Sequence, residues 1–311
     1  MKSTYSKDLA LYFEKLRFDR NLTQEVFVEG IVSLRQYRRY LKGDSHISQD
    51  VVNLFCERLG YHTHSILISF ENERQEEMKR VVKFYNSAAY HDERAYLAFI
   101  KEYPRKRIID RLNQMIYDHT IIAHDYNLKK ITAEEYAKKT IELVDYPNIL
   151  KRLPLSTPEM LLLSSLLYSP AFTDRDYLAS EIVKITENPE LVISGRTDVI
   201  YPLVMYRLIQ YRGIQKKYQE VLQLSDRVIK YNEENRIIYL LDSFWYFKAL
   251  AYSYLGQKEE HEDALFKTYC LLRGGSNPPN FDRMKKLIES DWPIDFDQFA
   301  KDYIEKRYLK K

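Results

Sequence analysis

Within Leu22–Gly43, LTQEVFVEGIVSLRQYRRYLKG, the side chains equipped for chemistry are Gln24, Ser33, Arg35, Gln36, Arg38, Arg39 and Lys42. No acid falls between Ser33 and Gly43, so the positive charge of this stretch is not neutralised from within. The chemistry open to such a set is recognition rather than bond making. Arginine forks grip guanine edges or phosphates, a glutamine amide can read adenine, and Gln24 at a helix start sits where backbone and side-chain amides meet phosphate. On a helical wheel Arg35, Arg39 and Lys42 share one side, with Gln36 beside them and Arg38 at the border. Leu34, Tyr37 and Leu41 gather opposite as a core stripe.

Short helices must position these groups. Leu9, Tyr12, Phe13 and Leu16 recur at helical spacing and predict a first helix over 6–20. Thr23 is an N-cap for a second helix ending at Gly30, with Glu25 in its first turn. Ser33 caps a third helix that Gly43 stops, and Ser48 caps a fourth, closed by Gly60. A fifth begins near Thr63. The expectation is an N-terminal five-helix domain over residues 1–66, in which a short positioning helix, a tight turn and a basic helix form a helix-turn-helix.

From Glu71 onward helical stretches follow one another with short breaks at Pro and Gly. The expected helices are 72–89, 92–103, 105–126, 132–145, 157–169, 173–187, 197–212, 215–231, 236–255, 258–273, 280–290 and 295–308. Pro104, Pro147, Pro154, Pro170, Pro189, Gly213, Gly256 and the Gly274–Gly275 pair punctuate them. Helix pairs recurring about every 34 to 40 residues mark an α-solenoid. Trp245, Ala249, Tyr252 and Gly256 keep the spacing of a tetratricopeptide first helix and turn, whereas His261 stands where a small residue is usual. The fold class is therefore all-α, with residues 67–311 as a tetratricopeptide-like repeat domain. On its concave side Ser243, Tyr246, Leu250, Arg207 and Gln210 are expected, and Asn113 and Tyr117 share a helix face. Arg207 could fork onto a carboxylate, and the polar groups could hydrogen-bond a ligand lying along that side.

Bulk properties narrow the function classes. The chain has 311 residues, 45% of them apolar, with only 8 Gly and 10 Pro, which argues against a turn-dense β fold. A net charge of +3 excludes a basic coat over the whole chain, so any nucleic-acid site is local. The N-terminal residues lack a signal-peptide core and no apolar run is long enough to span a bilayer, so a cytoplasmic location without membrane contact is expected. Cys56 and Cys270 lie in apolar helical patterns and are expected as buried free thiols. His62 and His64 have no converging ligand partners, and Asp118–His119 and His124–Asp125 do not share a face, so neither a metal site nor an acid–base dyad is expected. Arg273–Ser276 followed by Asn277 and two prolines is a helix stop, not a phosphate cradle. No catalytic motif, cofactor or metal is expected, and the chain is read as a non-enzyme.

The opening Leu22-Thr23-Gln24 and the later Ser33, Tyr37, Arg39, Tyr40 and Gly43 resemble the Xre/Cro-type helix-turn-helix, and the EGIVS turn resembles its Rgg-like branch. The turn is one residue shorter than the commoner Cro type, and Leu41 replaces a frequent acid. Together with the helical repeats, this is similar to the Rgg, PlcR and PrgX group of peptide-pheromone-responsive regulators. The resemblance implies quorum-sensing transcription regulation: a homodimer that binds double-stranded DNA at a palindromic operator and takes a short signalling peptide in the concave repeat face. Two alternatives stay open at this level, a repeat-type interaction scaffold of the Rap kind and a phage-type repressor whose repeats only oligomerise.

Overall fold

The computed structural model describes residues 4–89, 91–188, 192–193, 199–275 and 278–309. The expected break at Pro189, Ser276 and Asn277 of the helix-stop loop, and the start of the expected helix 197–212 lie outside them. The chain divides into two compact units, Met1–Leu143 and Val144–Lys311.

Unit 1 begins with α1 (Thr4–Asp19), α2 (Gln24–Val28), α3 (Leu34–Lys42) and α4 (Gln49–Arg58). The boundaries follow the expected caps. Thr23, Ser33 and Ser48 each accept a hydrogen bond from the amide three residues on, at 3.3, 3.1 and 3.4 Å. Gly43 ends α3 at φ +76°, where its amide reaches the carbonyls of Arg39 and Tyr40. Around this frame lies an aromatic core. Phe27 and Phe55 stack at 4.6 Å, and Phe13 and Tyr37 pack edge-on to Phe55 at 5.4 and 5.7 Å. The buried stripe of α3 is Tyr37 and Tyr40, with Leu34 and Leu41 only half-buried. The wheel placed Leu34 and Leu41 fully inside. The larger tyrosine rings fill the space instead.

α5 (Thr63–Ala89) is one helix of 27 residues where the sequence suggested two. No Gly or Pro interrupts it, and its buried positions Ile66, Phe70, Glu77, Met78, Val81 and Val82 run past the charged stretch around Glu71. The expected domain boundary at 66/67 therefore falls inside a continuous helix. α6 (Glu93–Glu102), α7 (Arg111–Asn127) and α8 (Ala133–Val144) follow. The expected helix 105–126 is split: Arg105–Arg107 is a single 3-10 turn, and Asp110 then caps α7 by accepting from the Asn113 amide at 2.9 Å. α5 packs along α7, with Phe84 stacked on Tyr96 and Phe99.

Unit 2 contains α9 (Thr157–Ser165), α10 (Arg175–Glu187), α11 (Ile200–Ile214), α12 (Tyr218–Glu234), α13 (Leu241–Tyr254), α14 (Lys258–Gly274), α15 (Pro278–Asp291) and α16 (Phe296–Ile304). A two-residue parallel bridge pairs Leu155 with Val192 and Ser156 with Ile193, an element with no sequence signature. Consecutive helices from α11 to α14 pack in turn, as repeats do. Ala249, fully buried, lets α14 approach α13, and His261 departs from the repeat pattern because its Nδ1 bonds the Ala249 carbonyl at 2.9 Å. Cys56 is buried, but Cys270 is exposed on α14, contrary to expectation; it sits on the outward side of an amphipathic helix.

The buried rings at the centre of the first four helices make the cost of truncation calculable. Phe27→Ala should destabilise them by about 3–5 kcal/mol. Hydrogen exchange of α2–α4 amides in the intact chain is the measurement, and protection equal to wild type would contradict it.

Candidate DNA-binding face and repeat-domain residues

Arg35, Arg38, Arg39 and Lys42 are all exposed on α3. Their spacing of three and four residues places them along one side of the helix. Among the described residues Arg35, Arg38 and Lys42 make no ion pair. Arg39 reaches only the Gln36 amide oxygen, at 3.4 Å. Gln36 is half-buried and donates to Ser45 Oγ at 2.7 Å, which fixes its amide against the loop after α3. Ser33 is spent as the cap of α3. The helix thus leaves three arginines and a lysine uncommitted on its outer side.

A carboxylate orients this helix. Glu14, on α1, accepts from Arg17 through both oxygens (2.8 and 2.7 Å), from Gln24 at 2.8 Å and from the Tyr37 hydroxyl at 2.8 Å. Arg17 donates in turn to the Leu22 carbonyl. Three helices and the turn before α2 meet at one charged group. Burial raises the Glu14 carboxyl, but hydrogen bonds from Arg17, Gln24 and Tyr37 outweigh it and hold it below its ordinary value. The Tyr37 hydroxyl is pushed well up by burial and by its bond to Glu14. Gln24, expected to face phosphate, has its amide nitrogen tied to this carboxylate. Arg58 on α4 closes the other side by donating to the carbonyls of Val26 and Glu29. Sequence inspection passed over Glu14 and Arg58. The one available signal was the Glu14/Arg17 pair, three apart on a helix.

The residues expected to line a peptide groove divide between the units. In unit 1, Asn113 is buried and its Nδ2 donates to Glu77 at 2.8 Å, and Glu77 also accepts the amides of Ile109 and Asp110. Tyr117 is buried beside Phe84 at 5.0 Å. In unit 2, Arg207 is buried and donates to the Leu161 carbonyl at 2.6 Å and to Ser164 Oγ at 2.9 Å. Its fork is engaged by α9 where a peptide carboxylate was expected. Tyr246 is buried and donates to Asp291. Gln210 and Leu250 are half-exposed, and Ser243 is buried. Trp245 carries Lys248 and Lys267 over its ring at 4.6 and 3.9 Å.

Among the described residues no helix is long and apolar enough to cross a membrane, and no cluster of three or more His, Cys, Asp or Glu side chains is arranged to hold a metal ion. Asp118 is paired with Arg105, and His124 with Glu93 at 2.7 Å.

The fold is a helix-turn-helix segment followed by tetratricopeptide-like helical repeats. No family model and no curated protein sequence matches the chain. Its fold is similar to that of Bacillus thuringiensis PlcR, solved in complex with the peptide PapR7 and DNA, with a TM-score of 0.51 and 16% identity over 90% of this chain and 98% of that one. It is likewise similar to the competence regulator ComR from Streptococcus vestibularis in its apo form, with a TM-score of 0.51 and 13% identity over 93% of this chain and 99% of that one. At such identities the likeness is one of fold.

Removing the Glu14 charge should loosen the base of α3. Glu14→Gln should lower stability by about 1–3 kcal/mol at pH 7, because buried donors lose a charged acceptor. A carboxyl held below its unfolded value stabilises above about pH 4.3 and stops doing so as pH falls through its folded value. The gap between wild type and variant should therefore close on acidification, which thermal melts from pH 7 to pH 3 would read. A constant gap would contradict the role given to the charge.

Proposed function

We propose that this protein is a DNA-binding transcription regulator, acting as a homodimer and controlled by a short signalling peptide bound to its repeat domain. The observation that carries the reading is the uncommitted basic face of α3, Arg35, Arg38, Arg39 and Lys42, standing on a helix that Glu14 and Gly43 hold rigid. Charge on one side, a packed tyrosine stripe on the other and a capped start are what insertion into a major groove requires. Such a face on a chain of net charge +3 binds tightly when two copies act together, which fits a palindromic operator. The full-length likeness to PlcR, whose structure holds both a peptide and DNA, supports peptide control. On this reading residues 1–66 carry the DNA contacts and 67–311 the peptide and dimer contacts, with half-exposed Gln210 offered to the peptide and Tyr246 reaching it only by giving up its bond to Asp291. The protein works in the cytoplasm and catalyses no reaction.

Peptide binding acts through a difference in affinity between two arrangements of the repeats, one of which sets the two basic helices at the operator spacing. Fluorescence anisotropy with full-length protein and operator-bearing duplex tests the DNA step. Arg35→Ala and Arg39→Ala should each cost about 1–3 kcal/mol of binding and reduce the salt slope by about 1 if the lost contact is to phosphate. Unchanged affinity in both variants would remove α3 from the interface. An absence of DNA binding by wild type would favour an interaction scaffold instead.

A further inference from the structure

Beside the C-terminal end of α3, unit 1 contains a notch of about 420 Å³. Lys7 and Asp8 of α1, Lys42 and Gly43, and Arg105, Arg111 and Asp118 supply its polar walls. The Lys7 stem lies across Gly43, so closely that a Cβ there would meet its side chain at 3.2 Å. Arg105 and Asp118 cancel each other through a two-pronged contact of 2.5 and 2.7 Å. Lys7, Lys42 and Arg111 are exposed and, among the described residues, have no hydrogen-bond or ion-pair partner. Asp8 is the opposite case. It is 3% exposed, and no donor among the described residues bonds its carboxyl. Three free cations against one carboxylate leave a surplus of two positive charges.

A carboxylate with little access to solvent and no donor is an open acceptor, and a cluster of like charges without a counterion is unfavourable. One ligand chemistry answers both: an anion that also carries an acidic hydroxyl. Sulfate and the phosphodiesters of a DNA backbone have no such proton. An amino acid's ammonium would suit Asp8, but its single carboxylate leaves two of the three cations unmatched. We propose that the notch binds a monoprotonated phosphate group, as hydrogen phosphate or a phosphomonoester, with Asp8 accepting the P–O–H proton and Lys7, Lys42 and Arg111 holding the remaining oxygens. Hydrogen phosphate, with two negative charges, offsets the whole surplus, and a monoprotonated phosphomonoester, with one, offsets half of it. Burial and the neighbouring Asp110 and Glu77 carboxylates push the Asp8 carboxyl up to about 7 against Arg74 and Lys7. That lies close to the value of about 6 for a phosphomonoester, and such matching favours a shared proton. At about 30 Å³ per water the notch holds more than a bare ion displaces, and Ile109, Met115 and Leu143 line the remaining space. Lys42 also belongs to the outer side of α3, so a bound phosphate would withdraw one cation from that face.

The test is calorimetry on the full chain at pH 7 and fixed ionic strength, with inorganic phosphate, sulfate and glucose 6-phosphate as probes. Phosphate should bind at least about tenfold more tightly than sulfate. Asp8→Asn should abolish that preference by letting sulfate bind as well as phosphate. Arg111→Gln, a surface change that leaves the melting temperature in place, should weaken phosphate about tenfold or more. Tighter binding of glucose 6-phosphate than of phosphate identifies a phosphomonoester as the source, and the reverse order identifies free phosphate. Equal affinities for phosphate and sulfate in wild type, no binding of phosphate at millimolar concentration, or a preference that survives Asp8→Asn would overturn the proposal. None of these readouts uses DNA, so the result stands apart from the α3 assignment.

Discussion

The orientation of the basic helix depends on one carboxylate. Glu14 sits where α1, α2 and α3 converge and accepts hydrogen bonds from Arg17, Gln24 and the Tyr37 hydroxyl. An isolated carboxylate in such a place would be expensive, but three donors repay its desolvation and leave it ionised. Each donor arrives from a different part of the chain, so satisfying one charge fixes the mutual placement of all three helices. Tyr37 has a second role, because its ring packs edge-on to Phe27 and Phe55 while its hydroxyl reaches Glu14. The polar hub and the aromatic core are thus one object, and the arginines on the outer side of α3 inherit their direction from it.

The rest of unit 1 uses the same device with different partners. Glu77, buried in the long α5, accepts the amides of Ile109 and Asp110 and the Asn113 side chain, and so holds the turn that leads into α7. Arg74 on the same helix pairs with Asp110. These contacts commit the Asn113 amide nitrogen within unit 1. Its side chain is part of the joint between α5 and α7. In unit 2 Arg207 has the same fate, since its guanidinium satisfies a carbonyl and a hydroxyl of α9. A buried arginine at a repeat junction stabilises the junction first, and a ligand would have to compete with those bonds.

Charge is distributed with corresponding economy. Many acids and bases of the repeats are paired locally, as in Lys248 with Asp226 and Lys285 with Asp297. Of the uncommitted cations of unit 1, one group stands on the outer side of α3 and another lines the notch at its end, and Lys42 belongs to both. A chain with a nearly balanced charge can still recognise a polyanion where several unpaired cations stand together.

The sequence determined the local elements. Ser33 and Gly43 define α3 because one is a good cap and the other tolerates positive φ, and the acid-free run between them makes the helix basic whatever surrounds it. The helix pairing of the repeats was legible for the same reason, in the spacing of Trp245, Ala249 and Tyr252 and the breaks at Gly and Pro. What the sequence could not decide was the partner of each polar side chain. Periodicity places Arg207 and Asn113 on a face but does not say what faces them, and it gave no warning that α5 continues through the expected boundary or that Tyr40 would be buried ahead of Leu41. Glu14 was invisible because its three donors converge from 3 to 23 residues away, and only folding brings them to one carboxylate. Hydrogen bonds and ion pairs act over a few ångströms, so the chain encodes which helices form, while the tertiary structure decides which charges remain free to bind something else.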